Sequence, residues 1–342
     1  MPRRTDNKKI MMRAAVVLVG LSAALFAFAF RDFFRGGPVK EQAPTVLFRH
    51  PLDGLPTGEE VPVGQVYGVV IENMVEAWPQ AGLDGASVVI EAPVEARIPR
   101  FLAFFPADRT VERIGPVRSA RPYFIDWNAE LDGLFAHVGG SPEALETLKR
   151  DDTRDLDEFS NEWFFWRDDN RDAPHNVYTS TEKLAEGLAR LRERFPFGAP
   201  AWDTWKFGEP DAAGAPAGRV RVDFGAEPYV VEWVYDGGRG LFLRHQNGSP
   251  HVMENESKIF AANVVVMETD VEVLDAIGRR RIRTRGSGNG RLYQRGREQD
   301  IRWEKPAQSE RLRFFIPQPD GTELEAVMAP GATWIEILPT SL

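Results

Sequence analysis

The ten residues from Phe135 to Ala144 read F-A-H-V-G-G-S-P-E-A and hold a strand, a turn and a helix start in one line. Leu134 to Val138 is a short apolar run that suits a buried strand. Two glycines let the backbone turn and be approached closely. Ser141, Pro142 and Glu143 then supply a cap, a first helical residue that needs no N–H, and a first-turn carboxylate. A strand that feeds directly into a helix predicts a layered α/β unit, and the turn at its carboxyl end is where such sheets bind ligands. His137, Gly139, Gly140 and Ser141 are therefore candidate ligand-binding residues. The plain alternative is a tight turn with no further role.

Outward from this stretch, Val66 to Ile71 (V-Y-G-V-V-I), Ser87 to Ala92 and Arg100 to Phe105 also read as strands, while Arg121 to Leu131, Pro142 to Arg150 and Glu182 to Arg194 carry helical periodicity. Residues 66–196 are thus expected to form an α/β domain. Residues 197–218, rich in Pro, Gly and Ala, read as a linker, and residues 219–342 change to a period of two. Strands are expected at Tyr229 to Tyr235, Leu241 to His245, Asn263 to Glu268, Arg281 to Arg285, Ile301 to Glu304 and Trp334 to Leu338. Turns at Asp236-Gly237-Gly238, Asn247-Gly248, Asn289-Gly290 and Asp320-Gly321 separate them, so this second domain should be mainly antiparallel β.

The stretch I-G-P-V-R-S-A-R-P-Y (Ile114 to Tyr123) places Arg118 and Arg121 beside an expected helix start, with Ser119 as its cap. Guanidinium groups next to unpaired backbone N–H groups receive phosphate or carboxylate. A second polar segment, Arg167 to Asn176 (R-D-D-N-R-D-A-P-H-N), offers Arg167, Arg171 and Asn176 as an anion clamp. In an enzymatic reading His175 is the acid/base and Asp172 orients it. The competing reading is a solvated loop held by its own charges. Glu91, Glu95, Arg97, Arg100 and the histidines match no compact metal motif, so no metal and no cofactor are expected. Neither G-x-S-x-G nor S-x-x-K surrounds Ser119 or Ser141, which disfavours a serine hydrolase. Arg279 to Arg285 holds five arginines in seven residues, with Arg281, Arg283 and Arg285 on one face if it is a strand. A solvated face balanced by acidic neighbours is the better reading of that run.

The chain has 342 residues and a formal charge of −9, and the first 35 residues carry seven basic and two acidic side chains, leaving 35 basic against 49 acidic downstream, or −14. Nucleic acid is therefore disfavoured as a partner. Residues 1–13 form a basic tail, and the uncharged run Ala14 to Phe30 reads as a transmembrane anchor or a signal segment. The anchor is preferred because Arg31, Asp32 and Arg35 follow at once. Cleavage after Ala29 would instead release the protein. Residues 31–65 read as a spacer, with the first domain beginning near Val66. The absence of cysteine excludes disulfides, thiolate chemistry and a lipid-modified cysteine.

Five separated stretches, V-I-E-N (Val70 to Asn73), W-P-Q-A-G-L (Trp78 to Leu83), I-G-P-V-R-S-A-R-P-Y, H-V-G-G-S-P and A-P-H-N, together resemble the YerB-like family of bacterial proteins classed with lipoproteins. I-F-A-A-N-V-V-V (Ile259 to Val266), I-R-W-E-K and P-G-A-T-W-I-E-I (Pro330 to Ile337) resemble its second domain in the same order. The resemblance implies two domains of unassigned function displayed outside the cytoplasm, and no catalytic mechanism. The combined expectation is an α+β protein with an N-terminal membrane helix, single-pass in the bacterial cell membrane. It is expected to bind an anionic envelope component or an envelope protein without catalysis. The alternative is a transferase or hydrolase acting on phosphodiester or pyrophosphate bonds through His175.

Overall fold

A computed structural model describes residues 47–210 and 213–340, together with position Met12. The chain divides into two units, Met1–Leu47 and Phe48–Leu342, and every element below belongs to the second. The hydrophobic run Ala14 to Phe30 lies outside the described residues. Among the described residues no helix is long and apolar enough to cross a membrane.

The first half supplies strands β1 (Val66–Ile71), β2 (Val88–Pro93), β3 (Pro99–Pro106), β4 (Leu134–His137) and β5 (Arg154–Asp157). Helices α1 (Pro122–Ala129), α2 (Pro142–Arg150) and α3 (Thr181–Arg194) lie between and after them. The second half supplies β6 (Arg219–Val222), β7 (Val231–Asp236), β8 (Leu241–Gln246), β9 (Asn263–Thr269), β10 (Gly286–Gln294), β11 (Arg297–Lys305), β12 (Arg313–Pro317), β13 (Glu323–Glu325) and β14 (Thr333–Pro339). The fold is mostly β, with three α-helices among the described residues.

A single twelve-stranded sheet runs through both halves in the order β13-β12-β11-β10-β9-β14-β2-β3-β1-β4-β5, with Ala215–Pro216 added beside β11. The last strand makes the junction: β14 lies parallel to β9 on one side and to β2 on the other. Both faces of the central strands are covered, which is why β1, β2 and β3 are continuous apolar runs rather than alternating ones. Because side chains alternate across a strand, Val69 and Ile71 enter one core and Val70 the other. The first core holds Leu184 and Leu188 of α3 together with Trp233 and Phe242 of the antiparallel sheet built on β6, β7 and β8. The second holds Phe124 and Trp127 of α1, Leu148 of α2, and Trp202 and Trp205.

Several expectations need correction. The folded body starts at Phe48 rather than Val66: Leu52 and Asp53 are buried, and Asp53 is bound by Ser87 at 2.7 Å and by Arg109. Residues 197–218 are not a free linker, because Trp202 and Trp205 pack in the second core and Lys206–Phe207 pairs with Val327–Met328. Gly286 to Gly290, where a turn was expected at Asn289-Gly290, is instead the first part of β10. Its Gly288 has no side chain because a Cβ there would sit 2.6 Å from the Trp303 indole on the neighbouring strand, a close approach that only glycine permits. The arginine run forms a strand only over Arg280–Ile282, and Arg281, Arg283 and Arg285 are paired singly with Glu272, Asp270 and Asp126.

Candidate functional site

β1 ends in a carboxylate. The apolar run that buries Val69, Val70 and Ile71 carries Glu72 on into the interior, where it is wholly buried. Arg118 donates to Glu72 Oε2, and Arg100, itself buried, lies 3.5 Å from Oε1 while also donating to the Ser119 carbonyl at 3.1 Å. His175 brings its Nδ1 to 3.9 Å from Glu72 Oε2, and that nitrogen has no hydrogen-bond partner. Burial alone would raise the Glu72 carboxyl, but the charges of Arg100 and Arg118 hold it below the usual carboxylate range. Burial pushes the Arg100 guanidinium down, and Glu72 only partly offsets this.

Behind Glu72 lies a buried polar layer that joins the two halves. Asn73 accepts from Gln80, Trp78 and Gln246, and donates to Glu91 at 3.2 Å. Arg244 donates to Glu91 at 2.6 Å, to Gln246 and to His251 Nδ1, while His251 Nε2 meets Gln80 Oε1 at 2.9 Å. The stretches V-I-E-N, W-P-Q, G-P-V-R-S and A-P-H-N, far apart in sequence, therefore converge on Glu72 and Asn73.

The Arg118–Arg121 stretch lies beside the Gly139–Ser141 turn. Val138 N donates to the Arg118 carbonyl at 3.1 Å, Ala120 N to the Gly139 carbonyl at 3.0 Å, and Ser141 N to the Ala120 carbonyl at 3.2 Å. Gly139 has φ +55°, and its N–H is held by Asp157 Oδ1 at 2.8 Å. Ser141 caps α2, its hydroxyl accepting from Ala144 N at 3.2 Å. Ser119 does not cap α1: that position belongs to Arg121, followed by Pro122.

Arg121 and Ser141 line one pocket of about 210 Å³ together with Pro122, Glu143, Leu274, Asp275, Arg279 and Arg280. Glu95 holds Arg121 by two bonds of 2.9 and 2.6 Å. Asp275 holds Arg279. Arg280 differs, for it donates its Nε to the Val94 carbonyl at 2.8 Å and has no carboxylate partner among the described residues. Burial lowers the Arg280 pKa, and neighbouring Arg97 adds to the effect.

The remaining expected residues make the following contacts within the fold. His137 is buried, with Nδ1 at 2.7 Å from the Gly139 carbonyl and Nε2 at 2.7 Å from Asp155. Arg171 donates to the carbonyls of Ala77 at 3.0 Å and Pro79 at 2.6 Å, and to Glu254 at 2.7 Å. Arg167 pairs with Glu158 at 2.7 Å and donates to Asn176 Oδ1 at 3.3 Å. Asp172 meets His175 through its backbone carbonyl at 2.9 Å, and the carboxylate beside the imidazole is Glu72 instead. Among the described residues no three His, Asp or Glu side chains group as a metal ion requires. Glu72 and Arg280 were missed in sequence. The available signal for Glu72 was a carboxylate directly following a fully apolar strand.

Two family models match this chain, over residues 52–194 and 220–335, described as the N-terminal and C-terminal domains of a protein of unknown function (DUF3048). A Bacillus subtilis (strain 168) protein named "Putative lipoprotein YerB" is 36% identical over 301 residues, 84% of this chain and 86% of its own length. The crystal structure of YerB from Bacillus subtilis superposes with a TM-score of 0.73 at 31% identity, covering 85% of this chain and 96% of that one. This chain therefore belongs to the DUF3048 family.

Proposed function

We propose that the protein is a non-catalytic envelope protein outside the cytoplasm, held at the membrane by Ala14 to Phe30. Its pocket between Arg121, Ser141 and Arg280 takes an anionic group of an envelope component or of an envelope protein. Arg280 carries the reading: it is a pocket-lining guanidinium that makes no ion pair with a carboxylate among the described residues, with Glu95 acting on it only at longer range. The pocket is lined by three arginines (121, 279 and 280) and two carboxylates (Glu143 and Asp275); Arg121 is paired with Glu95 and Arg279 with Asp275, which leaves Arg280 as the guanidinium outside an ion pair. The lipoprotein name of the Bacillus relative supports display at the membrane, and because this chain has no cysteine the hydrophobic segment serves as the anchor. Titrating glycerol phosphate or pyrophosphate into residues 48–342 tests the pocket. Arg280→Ala should weaken binding about tenfold, the loss of one charge-assisted contact. No binding, or equal binding by the variant, rejects the reading.

One observation favours an enzymatic second reading: the unpartnered His175 Nδ1 beside Glu72. In that reading His175 is the acid/base for a phosphodiester- or pyrophosphate-handling transferase or hydrolase, with Arg118 offsetting developing negative charge. Turnover of lipid-linked pyrophosphate by the purified protein, lost in His175→Ala, would establish it. A broad substrate panel with no turnover would remove it.

A further inference from the structure

Three large apolar side chains project into solvent from segments at or next to the arginine pocket. Phe159 is 72% exposed, Trp163 78% and Ile277 71%. Phe159 and Trp163 sit on consecutive single-turn 3-10 helices, Glu158–Ser160 and Glu162–Phe164. The Phe159 ring lies over Gly139, two residues before Ser141, since a Cβ on Gly139 would come within 2.7 Å of it. Ile277 belongs to the loop from Leu274 to Arg280 that walls the pocket's other side.

The backbones beneath these side chains are fixed. Asp157 Oδ1 accepts from both Gly139 N and Phe159 N, at 2.8 and 3.3 Å, so one carboxylate ties the turn to the projecting ring. Asp275 Oδ1 accepts from Ile277 N and Arg279 N, both at 3.1 Å. Phe159 and Ile277 are thus held in water on anchored turns, where burial would be favourable, and Trp163 is exposed beside Phe159. Together they mark an interaction surface.

We propose that this rim docks on a lipid surface carrying anionic phospholipid, with the apolar side chains entering the headgroup boundary and a lipid phosphate entering the pocket against Arg280 and Arg121. The inference rests on the anion-binding reading above and names its ligand. Arg280, outside any ion pair, offers one positive charge to a lipid phosphate, and the mixture of Trp, Phe and an aliphatic residue suits the membrane interface. The length of chain before the body supports it too. Only seventeen residues lie between Phe30 and Phe48, a span of at most about 60 Å even when fully extended. A bilayer holding Ala14 to Phe30 is therefore always present at high effective concentration. Two groups oppose docking: Glu162, next to Trp163, and Glu143, in the pocket lining, have no side-chain partner among the described residues, and an anionic surface would repel both.

The test uses residues 48–342, the compact unit that contains both cores, with vesicles of phosphatidylcholine alone or mixed with phosphatidylglycerol. Binding should require phosphatidylglycerol. Phe159→Ser with Trp163→Ser should lower partitioning at least about tenfold without changing the urea midpoint, because both side chains are already in water. Arg280→Glu should lower it about fivefold or more, and Glu162→Gln should raise it. Equal binding to both vesicles, or partitioning untouched by the double variant, overturns the proposal. Uptake of glycerol phosphate through Arg280 without vesicle binding also overturns it, while leaving the anion site standing. Failure to bind either probe removes both. Capture by purified wall glycan in place of vesicles, lost in the same aromatic variant, overturns the lipid surface in favour of a glycan.

Discussion

Arg244 and Glu91 are 153 positions apart in sequence, yet they meet as an ion pair 2.6 Å long in which neither side chain reaches solvent. Arg244 comes from β8 of the antiparallel sheet and Glu91 from β2 of the large sheet, so the bond fastens one half of the molecule to the other. The guanidinium also lies 5.4 Å from the Phe101 ring centre and 5.1 Å from that of Trp334. Removing one partner leaves a buried charge uncompensated. Arg244→Met should therefore cost about 3–5 kcal/mol in urea unfolding, and adding Glu91→Leu should restore part of that loss. A single-variant cost below about 1 kcal/mol would show that the layer tolerates an unpaired Glu91.

Glu336 of β14 adjoins this pair, its Oε1 accepting from Trp233 Nε1 at 2.8 Å. Burial first, and the charge of Glu91 second, push its carboxyl well above 4.5, which favours its protonated form. Because the folded value lies above the unfolded one, this group's contribution is complete below about pH 4.5 and is lost as pH rises through the raised value. Glu336→Gln keeps a neutral partner for Trp233 and cannot ionise. Urea midpoints measured from pH 5 to 9 should fall less steeply for this variant than for the parent chain. Parallel curves would show that Glu336 is not the group responsible.

His251 behaves in the opposite sense. Arginine has no acceptor, so the bond from Arg244 requires Nδ1 of His251 to accept, which places the ring proton on Nε2, donating to Gln80. Burial, reinforced by the Arg244 charge, lowers its pKa well below 6.5. The stability tied to the neutral ring is complete above about pH 6.5 and is lost as pH falls below that value toward the folded one. Nitrogen NMR at pH 5.5 should still show a neutral ring protonated on Nε2. A charged imidazolium at that pH would contradict the bonding pattern.

The position of β14 predicts how the molecule unfolds. This strand is the last in the chain but occupies a central place in the sheet, pairing with β9 and β2 at once. Tryptophan fluorescence and far-ultraviolet circular dichroism should therefore report one coincident urea transition for residues 48–342. Residues 66–196 produced alone would expose the edge of β2 and its apolar faces, and should aggregate rather than fold. Two separate transitions, or a soluble and cooperative first-half fragment, would contradict this.

At the turn, Gly139→Ala introduces a side chain at φ +55° and presses it against the Phe159 ring. A loss of about 1–2 kcal/mol is expected from the left-handed backbone alone. Gly140→Ala, where a Cβ would come no nearer than 3.2 Å to Ala120 and the backbone is unconstrained in this way, should cost less. Urea midpoints of the two variants decide the comparison.

Elements whose signals lie within a few residues were legible from the chain alone. The apolar run of β1, the span of α2 with its Ser141 cap, and the turn at Asp236-Gly237-Gly238 all stand where local chemistry places them. Strand and helix periodicity, caps and turns act over one to four residues and can be read without knowing any partner. Long-range packing, by contrast, makes a C-terminal strand join both halves into one sheet, packs residues 197–218 through two tryptophans, and sets Gly288 against Trp303 rather than in a turn. It also decided the state of the arginines. Arg118 and Arg121 looked free in sequence but are held by Glu72 and Glu95, whereas Arg280, one among five in a run, has no carboxylate. The availability of a charge depends on which groups the fold brings within about 4 Å, and those groups come from distant parts of the chain.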